Sequence, residues 1–166
     1  MRPNHVVSIL LLGFVSGGFL RRARAQETST PEERAQWVEI THKLESNPLD
    51  ENVNKDAESA LNRLSNVHDI HVPLCPVLLR EFNDAKYKYR HEITRQYMLA
   101  SGAFIIENPG KAGDTNAMNL AAVESVLKVY SAILQQKPDA KWKPLDDLLK
   151  KQSQGKLDDA LRKQCR

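Results

Sequence analysis

Two long segments of this chain, residues 85–107 and 115–136, repeat apolar side chains at intervals of three and four. The stripe of the first segment is Tyr89, Ile93, Tyr97, Ala100 and Phe104. The stripe of the second is Met118, Ala122, Val126, Val129 and Ile133. This spacing is typical of α-helices with one buried face. The connection at 108–114 contains proline, glycines and a capping aspartate, so the pair is predicted to form an antiparallel hairpin.

Both segments carry further apolar residues beside the main stripe. These are Leu99, Ala103 and Ile106 on the first, and Val123, Leu127, Tyr130 and Leu134 on the second. A stripe this wide predicts neighbours on two sides of the hairpin. The small residues of the run 100–103 favour close approach of another helix.

The rest of the chain also has helical signals. Thr30, Pro31 and Glu33 form a capping box that predicts a helix over 31–46. Further helices are predicted at 49–66, about 75–82, 144–152 and 156–164, with Gly155 as a stop signal between the last two. Residues 67–74 are predicted to be mainly a loop. The expected fold is an all-α bundle of about six helices around the long hairpin.

A different helical architecture is the alternative. The segment 129–140, VYSAILQQKPDA, resembles the end of the second helix in a tetratricopeptide-type repeat. That resemblance implies an open array of helix pairs. The two long segments exceed the usual repeat helix, and no second copy occurs at a period of about 34 residues. The closed bundle is therefore the favoured prediction.

The first 25 residues have the pattern of a signal peptide. Arg2 precedes an apolar run from Val6 to Leu20, and Ala23-Arg24-Ala25 is a small-x-small cleavage site. A helical run of this length spans roughly 22 Å, which is shorter than the ~30 Å hydrocarbon core. We predict a cleaved leader at 1–25 and a single domain at 26–166, exported to the periplasm or outside the cell. The basic residues after the run leave an uncleaved anchor as the alternative.

Removing the leader changes the charge balance. The whole chain has 24 basic and 21 acidic residues, and the leader holds four of the basic ones, Arg2, Arg21, Arg22 and Arg24. The mature chain therefore has 20 basic against 21 acidic residues, a net charge of −1. This balance argues against nucleic acid as a partner. We also expect no stable membrane anchor after cleavage.

Cys75 and Cys165 are the two cysteines of the chain. In an exported protein we expect them to form a disulfide. The bond would close a loop of about 90 residues, worth roughly 4 to 5 kcal/mol in the chain-entropy model. The alternative is two unpaired thiols.

A metal or ligand carrier is the alternative function. His68, His71 and Cys75 lie close in sequence, and imidazole and thiolate are ligands for zinc or copper. A tetrahedral site would need a fourth ligand, such as Cys165 or His42. This hypothesis competes with the disulfide for Cys75, and we favour the disulfide.

No pattern in the chain predicts catalysis or a cofactor. His91-Glu92-Ile93-Thr94-Arg95 lacks the second histidine of the zinc-protease motif, because Arg95 cannot ligate the ion. Glu107 and Glu124 lie on the two hairpin helices and could face each other as a carboxylate pair. Glutamates at helix ends are more often simply solvated. The chain is therefore predicted not to be an enzyme.

Aromatic and basic residues suggest where a partner could bind. Lysines and arginines alternate with tyrosines in the segment 86–95, although Tyr89 also belongs to the helical stripe. We expect exposed aromatic anchors at Trp37, Trp142 and Tyr87. Trp142 is the strongest candidate because it lies between two lysines, in a stretch with no helical stripe to bury it. Its alternative role is to cap the end of the bundle. The predicted function is a helical binding or structural module with a protein partner.

Overall fold

A computed structural model describes residues 27–165, so the predicted leader lies outside the described residues. Within that range the chain forms seven α-helices, one short 3-10 turn (Pro109–Lys111) and no strand. The helices are α1 (Pro31–Ser46), α2 (Glu51–Asn66), α3 (Pro76–Phe82), α4 (Arg90–Glu107), α5 (Thr115–Gln136), α6 (Lys143–Ser153) and α7 (Leu157–Gln164). The all-α class is confirmed, with seven helices where about six were expected.

Helices α4 and α5 form the centre of the bundle. Gln96 on α4 hydrogen-bonds Ser125 on α5, and Tyr97 hydrogen-bonds Asn119, which is the pairing expected of an antiparallel hairpin. The helices bury an apolar face against each other and against their neighbours, and this face includes Ile93, Tyr97, Met118, Val126, Tyr130 and Ile133. The three- and four-residue spacing in the sequence thus marks the core of the molecule.

The remaining helices pack around this hairpin. Helix α1 contacts α2, α4 and α5, while α2 and α3 both contact α4. Helix α7 packs against α5, and α6 packs against α5 and α7. Helices far apart in the chain, such as α1 and α5, are in contact. This arrangement fits a bundle rather than an open array in which each helix pair meets only the next pair.

The small residues of α4 allow a close helix contact. A Cβ atom placed on Gly102 would lie 2.7 Å from Cδ2 of Leu64 on α2. The absence of a side chain at this position lets α2 approach the hairpin. The predicted close approach at residues 100–103 is therefore present.

Several helix ends follow the capping signals in the sequence. The Thr30 side chain accepts a hydrogen bond from the Glu33 N–H, and the Glu33 carboxylate accepts one from the Thr30 N–H. Gly155, which follows α6, has a φ of 67°, the left-handed conformation that glycine adopts without strain.

The start of α4 differs from the prediction of residue 85. The Asp84 carboxylate accepts a hydrogen bond from the Lys86 N–H at 2.8 Å, and its carbonyl accepts one from the Tyr87 N–H at 3.0 Å. These bonds form turns over residues 84–89, and the helix begins only at Arg90. The aspartate competes with the helix for the backbone donors.

Helix α5 is the one described helix long and apolar enough to span a membrane by length and composition. However, 56% of its most apolar window is buried inside the bundle, as in a core helix of a folded domain.

Candidate functional site

The two cysteines lie together in the structure. Cys75, just before α3, and Cys165, just after α7, have Cα atoms 5.5 Å apart and sulfurs at disulfide distance. The Cys75 N–H also donates a hydrogen bond to the Tyr97 hydroxyl at 3.0 Å. The predicted pairing is therefore present, and it ties the last helix to the middle of the chain.

This pairing changes the interpretation of the histidine-rich loop. His68 and His71 are exposed on the loop before α3, whereas Cys75 is buried and bonded to Cys165. Its sulfur is no longer a free thiolate ligand. Among residues 27–165, no group of three His, Cys, Asp or Glu side chains is placed to hold a metal ion. The metal-carrier hypothesis based on these three residues does not match the geometry.

Two of the three aromatic anchors expected at the surface are buried. Trp37 is 2% exposed and Tyr87 is 4% exposed, so the prediction of exposed aromatic rings at these positions is wrong. Trp37 belongs to the buried face of α1, and Tyr87 packs beneath Trp142. Trp142 is partly exposed, so among the three it alone keeps surface that a partner could contact.

Arg95 also departs from the sequence interpretation. It is 7% exposed, and its guanidinium donates hydrogen bonds to Asn54 and to Glu58 on α2. Burial lowers the pKa of Arg95 from its usual value, and the nearby carboxylates of Glu92 and Glu58 act in the opposite direction. Arg95 therefore joins α2 to α4 and is not part of an exposed basic patch.

A cleft opens where α1, α4 and α5 meet, and we call it the α1–α4–α5 cleft. Its volume is about 190 Å³. Small and aromatic residues contribute its apolar surface, namely Ala100, Ala103, Phe104 and Ala121. Ionisable side chains from all three helices line the rest, namely His42, Glu45, Glu107, Glu124 and Lys128. Three carboxylates thus face one lysine and one histidine.

A buried hydrogen-bond chain holds Glu45 in position. The Ser125 hydroxyl donates to Glu45 Oε1 at 2.7 Å, and it accepts from Gln96 Nε2 at 2.7 Å. The same Gln96 nitrogen donates to the Thr41 carbonyl at 3.1 Å. Gln96 is completely buried, so the chain links the core to the cleft wall.

The charge of Glu45 follows from these contacts. Burial acts to raise the pKa of Glu45, but hydrogen bonds from Ser125 and Lys128 outweigh it, and the pKa lies below its usual value. The Lys128 ammonium is 2.9 Å from Glu45 Oε2. Glu45 therefore carries a fixed negative charge at neutral pH although its side chain is only 13% exposed.

His42 lies between two of the carboxylates. Its Nδ1 is 3.6 Å from Glu45 Oε2, and its Nε2 is 3.5 Å from Glu107 Oε1. Glu107 and Glu124, which the sequence offered as a carboxylate pair, both line this cleft. The arrangement can bind a positively charged group through several carboxylates at once.

The sequence did not identify this cleft as a site. Glu45, Ser125 and Gln96 are separated by tens of residues, and each is a common residue at a helical position. Two signals were present in the sequence. One is the carboxylate pair Glu107 and Glu124, and the other is that Gln96 and Ser125 are polar residues next to the apolar stripes of the two hairpin helices. Polar residues at buried positions need hydrogen-bond partners, and here the bonds lead from Gln96 through Ser125 to Glu45 in the cleft wall.

The fold and the cleft define an all-helical domain with a charged groove. Comparisons of the chain with protein-family models, with curated proteins and with solved structures find no match.

Proposed function

We propose that this chain is an exported helical binding module whose α1–α4–α5 cleft receives a lysine or arginine side chain from a partner protein. The observation that carries the proposal is the excess of carboxylates, Glu45, Glu107 and Glu124, around a groove with an apolar floor. The aliphatic stem of a basic side chain packs on apolar surface while its charged end meets carboxylates. The cleft offers both surfaces.

The rigidity of the cleft supports binding. Glu45 is held by Ser125 and Lys128, and Ser125 is held by Gln96, so the carboxylate is ordered before a ligand arrives. A pre-ordered site loses less conformational entropy on association. A partner cation would share Glu45 with Lys128 and gain new contacts with Glu107 and Glu124.

Export rests on the leader pattern, and a cysteine pair at disulfide distance fits an oxidising compartment. Intact-mass measurement of the protein from its own host tests this part. We expect a mature chain that begins at Gln26 and a mass about two units below that of the dithiol, because a disulfide replaces two S–H bonds. A full-length chain with free thiols would contradict export.

Titration with short synthetic peptides tests the binding site. The probes are acetylated Ala-Ala-Lys-Ala-Ala and Ala-Ala-Arg-Ala-Ala, and the comparison peptide has glutamine at the centre. We expect the basic peptides to shift the backbone NMR signals of Glu45, Glu107 and Glu124, and the glutamine peptide to leave them unchanged.

Charge variants with a matched control complete the test. The cleft variant is Glu45→Gln/Glu107→Gln/Glu124→Gln. It should weaken binding of the basic peptides at least about tenfold, because the loss of even one hydrogen bond to a charged group costs about 1.5–3 kcal/mol. The control Glu32→Gln/Glu51→Gln/Asp159→Asn removes the same charge from exposed positions outside the cleft. Equal weakening in the two variants would show a long-range charge effect and overturn the assignment of the site.

A further inference from the structure

A second cleft forms where the turn before α4 meets the turn before α6. It has a volume of about 180 Å³, and its lining combines aromatic rings with lysines from residues 86–89 and 139–142. We call it the lysine–tryptophan cleft. None of the residues that line it lines the α1–α4–α5 cleft, so the two are separate sites.

The aromatic wall of this cleft is fixed by the core. The Trp142 ring stacks on Tyr87, with ring centroids 5.6 Å apart and an angle of 20° between the planes. Tyr87 in turn packs edge-on against Tyr130 at 6.4 Å. The Tyr130 hydroxyl accepts a hydrogen bond from the backbone N–H of Trp142 and donates one to Asp146, both at 2.8 Å. The partly exposed indole is therefore held in place from below.

The charged rim is mostly positive. Lys86, Lys88 and Lys141 are exposed along the cleft, and Asp139 is the one carboxylate among its lining residues. Within residues 27–165, none of these three ammonium groups forms a salt bridge. Lys88 lies over the Tyr89 ring, 5.3 Å from its centroid. The ammonium groups are free to meet an anion.

An unpaired polar group adds to this arrangement. Tyr87 lines the cleft and is 4% exposed, and its buried hydroxyl has no hydrogen-bond partner. Buried hydroxyls normally have a partner, so the Tyr87 hydroxyl is an exception in the aromatic wall of the cleft.

We propose that the lysine–tryptophan cleft binds an acidic peptide segment of a partner protein, with an aromatic side chain of the segment on Trp142 and carboxylates on the three lysines. Aromatic rings and charge pairs are the usual anchors of protein interfaces. The cleft is large enough for one side chain and adjacent carboxylates, whereas a polyanion such as a nucleic acid or a sulfated polysaccharide binds along a longer track of cations.

Fluorescence polarisation with a labelled peptide, Asp-Glu-Phe-Glu-Asp, tests this proposal on the oxidised mature protein. Comparison peptides replace the phenylalanine by alanine, or the four acids by their amides. We expect measurable binding of the first peptide, and at least about tenfold weaker binding of each comparison peptide. Absence of binding by the first peptide at millimolar protein would overturn the proposal.

Protein variants locate the binding to the cleft. Lys86→Gln/Lys88→Gln/Lys141→Gln should weaken peptide binding at least tenfold. The control Lys55→Gln/Lys150→Gln/Lys151→Gln makes the same charge change away from the cleft and should weaken it less than threefold. Trp142→Leu, checked for helicity by circular dichroism, should also weaken binding at least threefold.

Two further results would overturn the proposal. Equal weakening of peptide binding in the two lysine variants would show that the peptide responds to the net charge of the protein and not to this cleft. Heparin or single-stranded DNA that binds more tightly than the peptide, and loses that binding in the cleft variant, would assign the cleft to polyanions instead.

Discussion

Ser125 links the buried core to the Glu45 carboxylate in the α1–α4–α5 cleft. Its hydroxyl donates to Glu45 and accepts from the buried Gln96. We predict that Ser125→Ala raises the pKa of Glu45, because a hydrogen bond to the charged carboxylate is lost. NMR titration of the Glu45 side-chain carboxyl carbon measures this change.

A serine on the same helix provides the control for this prediction. Ser131 donates its hydroxyl hydrogen bond to the Leu127 carbonyl within α5, so Ser131→Ala should leave the Glu45 titration unchanged. An unchanged or lower Glu45 pKa in Ser125→Ala would contradict the role given to the Ser125 hydroxyl.

The Tyr97 hydroxyl connects the hairpin to Cys75, just before α3. This fully buried hydroxyl donates to Asn119 Oδ1 at 2.6 Å and accepts from the Cys75 N–H at 3.0 Å. Tyr97→Phe leaves both groups without this partner, and we expect a loss of about 1–3 kcal/mol in the free energy of unfolding. Urea denaturation followed by circular dichroism measures the loss.

Tyr87→Phe is the matched control for the Tyr97 variant. It removes a hydroxyl that is also buried but has no hydrogen-bond partner. We expect its free energy of unfolding to stay within about 0.5 kcal/mol of the wild type, or to rise. Equal losses in the two variants would show that the Tyr97 hydrogen bonds contribute nothing.

At the scale of elements, a polar clasp holds the segment before α1 against the loop after α2. The Asp69 carboxylate accepts hydrogen bonds from the Ser29 N–H at 2.9 Å, the Ser29 hydroxyl at 2.7 Å and the Arg34 guanidinium at 2.6 Å. These bonds hold the pKa of Asp69 well below its usual value, and the bonds from Ser29 have the largest effect.

The clasp gives a prediction for hydrogen exchange and pH. Because the folded-state pKa of Asp69 is lowered, the clasp contributes fully to stability above the usual carboxyl pKa. This contribution is lost progressively as the pH falls from that value through the lowered folded-state pKa. Asp69→Ala should increase amide hydrogen exchange in residues 27–34 at neutral pH. In the wild type, the exchange rate of these residues should rise relative to that of the core only in acid. Asp159→Ala, at an exposed carboxylate on α7, is the control. Unchanged exchange in Asp69→Ala would show that the segment is held by other contacts.

The helices were predictable because their signals are local. The capping box at Thr30 and the glycine stop at Gly155 act within a few residues, and the apolar stripes repeat within each helix. The late start of α4 was missed because the Asp84 turn is also local but opposes the helical pattern of the residues around it. Where two local signals disagree, tertiary packing decides, and here burial of Tyr87 and Tyr89 favours the turn.

At the scale of the whole molecule, the clefts were not predictable from local patterns. Glu45 and Lys128 meet only because α1 lies across the hairpin, and Tyr87 lies under Trp142 only because two distant turns meet. The sequence did indicate Trp142 as a surface aromatic beside lysines, but it placed Tyr87 and Trp37 there as well. Side-chain type alone does not say which aromatic ring another element will cover. The cysteine pair was predictable because two cysteines allow only one intramolecular pairing.

The link between Cys75 and Cys165 also sets an expectation for the stability of the molecule. The bond spans 90 residues, so in the chain-entropy model its reduction should lower the free energy of unfolding by up to about 4–5 kcal/mol. Helix α7 still buries Leu157 and Leu161, so the reduced protein should keep its helices while α7 exchanges its amides faster. Urea denaturation with and without reductant measures the change, and Cys75→Ala/Cys165→Ala, on which reductant should have no effect, is the control. An identical urea midpoint for oxidised and reduced wild type would mean that packing of α7 alone closes the bundle.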